Sequence, residues 1–285
     1  MSLLAVVRRD PRVLGYARSR WTLSMIREEC DWLNLRTDGG LGQVLERLGI
    51  HYKRGQDYLH SPDRHYQEKV SLIQLAHLRA WYDPERYVLV YLDEITYGRQ
   101  PRVSYDYAAA GSPTPQARRS YQSDTQFRGV GALNAVTGQV TYRQHSHITL
   151  RHLSDFFAAL RSDYPHAELL YVALDNWPIH FHPDVLVRLQ PQNFPFPPRL
   201  PASWPSQPSS AAVVDTLPIQ LLCLPTYASW LNPIEKLWRS LRQDVLHLHR
   251  LANDWPLLKQ EVLDFMHTFT YASPDLLRYV GLLSD

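Results

Sequence analysis

Residues 219–241 leave little freedom in how they fold. Ile219 to Leu224 is an apolar run of strand length with one polar residue, Gln220, and Pro225 breaks it. A loop of Tyr227, Ala228 and Ser229 leads to Asn232-Pro233, a pair that suits a helix cap and a first helical position. Apolar residues then recur at Leu231, Ile234, Leu237, Trp238 and Leu241, which is the spacing of one helix face. Glu235 lies in the first turn beside that stripe, so it sits at the edge of a core and can face a cleft. A carboxylate there is helped by the positive end of the helix dipole, and on its own it need do nothing more.

Two other strand-like runs also end in acid. The β-branched run YVLVYL reaches Asp93-Glu94, and the fully apolar run Leu169 to Leu174 reaches Asp175. Carboxylates brought together repel and lose hydration unless a cation sits among them. Hard divalent cations accept such oxygen ligands, and two-metal sites use them for phosphoryl transfer. Neighbours on a strand point to opposite faces, so Asp93 and Glu94 cannot both enter one site without a bend. Asp93 is assigned to the metal and Glu94 an accessory place.

The segments YLDE (91–94), ALDNWPIH (173–180) and LPTYASWLNPIEKLW (224–238) together resemble the DDE transposases of the mariner superfamily, in particular their bacterial insertion-sequence branch. The match spans about residues 85–250, and Ala228-Ser229-Trp230 departs from the family's Ser-Pro-x. The resemblance implies an α/β protein whose catalytic domain is ribonuclease-H-like, a mixed five-stranded sheet flanked by helices. It implies that Asp93, Asp175 and Glu235 are the catalytic metal-binding triad, with Glu94, Asn176, His180 and Asn232 as accessory residues. It further implies two Mg2+ ions, replaceable by Mn2+. The chemistry would be phosphodiester hydrolysis at the ends of an insertion sequence, followed by strand transfer. Partners would be double-stranded DNA, as terminal inverted repeats and as target, and a second copy of the chain in a synaptic complex.

The N-terminal part reads as helix, turn, helix and basic hairpin, the order of a winged helix-turn-helix. Thr22 caps a helix with Ile26, Cys30 and Leu33 on one face. A second helix runs from about Gly40 to Leu48, and two short strands follow over 50–59. Gln43, Glu46 and Arg47 lie on the exposed helix face, with Gln43 and Arg47 suited to bases, and Lys53 and Arg54 in the hairpin suit phosphates. The expected organisation is therefore residues 1–62 as the DNA-binding segment, 63–84 as a linker helix, and 85–285 as the catalytic domain. The family often carries two helix-turn-helix units and only one fits here. The alternative function is thus an N-terminally truncated regulator that binds element ends without cutting.

The formal net charge of +2 places any DNA contact in local clusters. Arg239 and Arg242 begin such a cluster after the Glu235 helix, and Arg99, Arg102, Arg118 and Arg119 punctuate an irregular stretch over 97–125. Cys30 and Cys223 sit in unrelated segments and read as buried free thiols. No apolar run approaches the roughly 18 residues of a membrane helix, and a cytoplasmic, nucleoid-associated protein is expected. His145 and His147 find no partners in sequence to complete a zinc site. Residues 191–215 are a proline-dense insertion that no helix can traverse, carrying Phe194, Phe196 and Trp204. A pair of carboxylates also serves glycoside hydrolysis, but that chemistry leaves the third acid and the Asn-Pro-Ile-Glu helix unexplained.

Overall fold

Alternation along Tyr87–Gly98 sets the frame of the sheet. In the computed structural model, which describes residues 2–52, 61–191, 194–209 and 215–284, this segment is one strand, β1. Val88, Val90 and Leu92 point to one face, and Leu89, Tyr91, Ile95 and Tyr97 to the other. The strand outruns the expected end at Asp93, because apolar residues keep recurring at every second position beyond it.

On one side β1 pairs antiparallel with β2 (Gln126–Asn134), which pairs antiparallel with β3 (Val140–His145). On the other side it pairs parallel with β4 (Leu169–Leu174), which pairs parallel with β5 (Ile219–Cys223). The result is a mixed five-stranded sheet of order β3-β2-β1-β4-β5. Pairing with β4 stops at Tyr91↔Ala173, whereas pairing with β2 continues to Gly98. Asp93 therefore sits just where β1 loses its parallel neighbour, opposite Gly131 of β2.

Helices cover both faces. On the first, the helix Leu150–Asp163, capped by the Thr149 side chain, buries Leu153, Phe156, Phe157 and Leu160. On the second, the helix Tyr66–Tyr82 packs Ile73, Ala76 and Ala80 against Leu89, Tyr91 and Ala173. The sequence suggested a linker for that segment, but three apolar positions on one face build it into the sheet's core. The rest of this face is covered by Ile234–Leu241, Trp255–His267 and Pro274–Val280. After His182 the helix Pro183–Leu186 is a single turn.

Chain contacts divide the protein into residues 1–58 and 59–285. The first unit contains helices Leu3–Val7, Leu23–Glu29 and Asp38–Arg47 around Leu3, Val6, Ile26, Cys30, Leu41 and Leu45. The first of these was not anticipated in a short basic segment; its register buries Leu3 and Val6. Gln43, Glu46 and Arg47 are exposed on the third helix. Most of the expected wing, with Lys53 and Arg54, lies outside the described residues. Within the proline-dense insertion, Phe196 stacks on His65 at 4.4 Å between ring centroids and Trp204 meets His182 at 4.8 Å, so this stretch lies against its own unit. Among the described residues no helix is long and apolar enough to cross a membrane.

Candidate active site

Labelling the helices in chain order from Leu3–Val7 (α1) makes Tyr66–Tyr82 α4, Leu150–Asp163 α5 and Ile234–Leu241 α7. Asp93, Asp175 and Glu235 come from β1, the end of β4 and the first turn of α7, and all three line one cavity of about 450 Å³. Asn176, Asn232 and Tyr227 also line it. Asp93 and Asp175 occupy equivalent places, each two residues beyond the last parallel pair, Tyr91↔Ala173. Period-two alternation thus puts them toward the α7 side.

Asp93 is held from below. Trp238, fully buried in α7, donates its indole N–H to Asp93 Oδ2 at 3.0 Å. The indole reaches that position by lying over Gly131, where a Cβ would stand 2.5 Å from the ring's Cη2. Burial, and then the nearby Glu235, Glu94 and Asp175, push the Asp93 carboxyl up to about 8. Acids gathered at this density are the donor set a hard divalent cation accepts.

The asparagines brace the cavity. Asn176 donates from Nδ2 to the Leu224 carbonyl at 2.9 Å, tying the end of β4 to the end of β5. Asn232 does not cap α7 as its sequence position suggested. Pro233 precedes the first helical residue, and the Asn232 side chain instead donates to the Leu92 carbonyl at 3.3 Å. This fixes the start of α7 against β1, one residue before Asp93. Its Oδ1 is buried with no partner among the described residues, at the wall of the acid-lined cavity. An orphaned oxygen beside three carboxylates fits a bound cation with its water shell.

Glu94 faces the other way, as strand alternation requires, and accepts from His180 Nε2 at 2.8 Å. His180 is fully buried, and its Nδ1 lies 3.7 Å from Asp175 Oδ1. Burial works to lower its basicity, but the carboxylates of Glu94, Asp175 and Asp93 outweigh it and raise the net value. Ligand atoms of Glu94, Asp175 and His180 all fall within 4.8 Å of one another.

Three features of the site escaped the sequence. Trp238 reads there as part of an apolar helix face, and nothing in the sequence singles out Gly131. The third is remote: Asp63 Oδ2 accepts from the Thr226 N–H at 2.9 Å and from Lys69 Nζ at 2.8 Å, while Ser61 Oγ donates to the Thr226 carbonyl at 2.7 Å. The segment before α4 thereby clamps the loop between Pro225 and Asn232. Arg239 is exposed and Arg242 half-buried at the far end of α7.

The sequence matches the family model of the DDE superfamily endonucleases over residues 88–257. It is similar to the insertion element IS630 uncharacterized 39 kDa protein of Shigella sonnei, at 24% identity over 273 residues, covering 93% of this chain and 69% of that protein. The fold is similar to the Mos1 transposase paired-end complex with left transposon end, with a TM-score of 0.61, 16% identity, and coverage of 98% of this chain and 73% of that one. The Mos1 mariner paired end complex with Mn gives the same values. The sheet order and its flanking helices agree with this ribonuclease-H-like architecture.

Proposed function

Because the chain belongs to the DDE superfamily endonucleases, in the IS630 and mariner group of transposases, we propose that it cuts DNA at the ends of an insertion sequence and joins those ends to target DNA. The observation that carries this reading is the single cavity shared by Asp93, Asp175 and Glu235, acids from three separated elements.

In this reading those three carboxylates hold the divalent cations, two Mg2+ that Mn2+ can replace, and accessory contacts from Glu94, Asn176, His180 and Asn232 keep them aligned. Bound there, the cations would supply Lewis-acid stabilisation of the charge on the attacking and leaving oxygens of a phosphodiester. Trp238 occupies one oxygen of Asp93, which leaves the other for the cavity. Asn232 and Asn176 lock the three strand and helix ends so that the acids hold their spacing without rearranging. Attack by water releases the element's end, and attack by the resulting 3′-hydroxyl on target DNA completes transfer, with no covalent intermediate on the enzyme.

Recognition is assigned to the first unit. Gln43 and Arg47 would read terminal repeats while Lys53 and Arg54 hold phosphates, and Arg239 and Arg242 would steady the backbone near the cut. The Mos1 structures carry a transposon end in a paired-end complex, which supports DNA ends as partners and a homodimer as the synaptic state.

The test is strand cleavage of duplex DNA bearing the element's ends, with Mg2+ or Mn2+. Asp93→Asn, Asp175→Asn and Glu235→Gln should each abolish cleavage while a gel shift still shows end binding. Cleavage that persists in any one variant removes that residue from the triad. Wild-type protein that binds ends but never cuts would instead establish the non-cleaving regulator.

A further inference from the structure

The geometry points to His180 as a nitrogen ligand of a divalent cation shared with Asp175, and to Glu94 as the carboxylate that orients it. The inference rests on the proposed metal site and adds a donor of different chemistry to it.

The argument begins with proton accounting. Glu94 Oε1 lies 2.8 Å from His180 Nε2, so the Nε2–H donates to the carboxylate. In the neutral ring Nδ1 is then an acceptor. It is buried, it has no hydrogen-bond partner among the described residues, and it faces Asp175 Oδ1, another acceptor, at 3.7 Å. That separation is too long for a hydrogen bond. A proton on Nδ1 would meet Asp175 there only as a loose ion pair, without a hydrogen bond. A metal ion fits the gap instead. Two bonds of about 2.1 Å span it, and a small inward turn of the exposed Asp175 closes their angle toward the right angle of an octahedral ion.

The surroundings match what metal-bound histidines have elsewhere. A ligating imidazole nearly always gives its second N–H to a carboxylate or carbonyl, which fixes the tautomer and raises its basicity. Glu94 stands in that place. Strand alternation, which keeps Glu94 out of the acid-lined cavity, is what puts it behind the histidine. His180 is fully buried in a short turn, Pro178–Phe181, with Trp177 edge-on to its ring at 5.4 Å, so the ring is fixed in orientation. Asp175, by contrast, has a side chain 54% exposed and can swing to meet an ion.

The consequence is selectivity. Oxygen donors alone suit Mg2+, whereas an imidazole favours first-row transition cations over it, Mn2+ being the first and weakest binder of that series. Mn2+ should therefore bind more tightly than Mg2+, and the excess should depend on His180.

The probe is Mn2+ added to the full chain, read by calorimetry and by pulsed electron paramagnetic resonance. Directly bound imidazole gives a 14N modulation on the Mn2+ signal. We expect that modulation in the wild type, its replacement by a 15N pattern when histidine is 15N-labelled, and its loss in His180→Gln. Glu94→Gln should keep the modulation and weaken Mn2+ binding about 10- to 100-fold. Labelling changes no side chain, so the result stands even where replacing a buried histidine disturbs the fold. Mn2+ that binds, is lost in Asp93→Asn, and shows no nitrogen modulation overturns this inference and leaves the proposed function standing. A wild type that binds no Mn2+ overturns both.

Discussion

Trp238→Phe should weaken cation binding far more than it weakens the fold. The indole is fully buried, lies over Gly131 and tilts against Tyr142 with centroids 6.3 Å apart. Phenylalanine keeps an apolar ring in that space but cannot donate to Asp93 Oδ2. A hydrogen bond to a charged acceptor contributes about 1.5–3 kcal/mol. If that loss falls on the ionised, cation-binding form of Asp93, affinity drops about 10- to 150-fold, at roughly 1.4 kcal/mol per tenfold. The smaller ring leaves a void that costs the fold roughly 1 kcal/mol, a shift of about 2–4 °C in Tm for a unit of this size. Calorimetric titration with Mn2+ and a thermal melt separate the two effects. Val262→Ala is the control, because Val262 is buried in the same apolar cluster. It should lower Tm by a similar amount and leave the titration unchanged. Wild-type Mn2+ affinity in Trp238→Phe, or an equal loss in Val262→Ala, would refute the claim that the indole N–H sets up Asp93.

Other outcomes follow from the same contacts. Gly131→Ala puts a methyl 2.5 Å from the Trp238 ring; overpacking of this kind costs about 1–3 kcal/mol. It should also lower Mn2+ affinity by displacing the indole, and an unaltered Tm would show that the two chains do not meet. Asp63→Asn leaves Lys69 buried without its partner, so we expect a loss of about 3–5 kcal/mol in denaturant unfolding and impaired cleavage through the loosened 225–232 loop. The pH dependence has a definite sign. Burial tends to raise the Asp63 carboxyl, but bonds from Lys69 and the Thr226 and His65 N–H groups hold it well below the usual carboxylate range. Its stabilisation is complete above about pH 4, the ordinary carboxylate value, and is lost as pH falls toward the depressed folded value. Tm measured from neutral to acid pH should thus fall less steeply in Asp63→Asn than in the wild type, and parallel slopes would remove Asp63 from the acid response.

The elements that carry the acids were legible because each couples a plain periodicity to a sharp stop. Leu169–Leu174 is apolar throughout and Ile219–Cys223 is apolar but for the half-buried Gln220, as suits strands covered on both faces. The spacing of Ile234, Leu237, Trp238 and Leu241 predicts the buried face of α7, whereas Leu231, expected on the same stripe, falls in the short turn before the helix and is half-buried. What escaped has physical reasons too. A strand was expected to end at Asp93, where the β-branched run stops, yet Ile95 and Tyr97 keep the alternation going. Asn232 has the composition of a cap, and only the position of the Leu92 carbonyl shows that its amide is used elsewhere. The Asp63–Thr226 contact joins residues far apart in sequence, where periodicity carries no information.

The two faces of β1 explain how so many acids are tolerated in so small a volume. Asp93 points toward α7, where the indole of Trp238 answers one of its oxygens. Glu94 points toward the α5 side, where His180 answers it. One strand thus delivers two carboxylates to opposite sides of the sheet, each with its own donor, instead of two like charges to one pocket. Asp175 stands at the end of the adjacent strand, lining the cavity with Asp93 and Glu235 and lying 3.7 Å from His180. It has no side-chain donor of its own among the described residues, only the Trp177 backbone N–H at 2.9 Å. Among the described residues the Glu235 side chain accepts no hydrogen bond and Asp175 only that one, so an added positive charge beside these two acids gains most. A cation bound there would relieve Asp93, Asp175 and Glu235 together, so the repulsion among these acids makes cation binding and the ordering of β1, β4 and α7 a single coupled event.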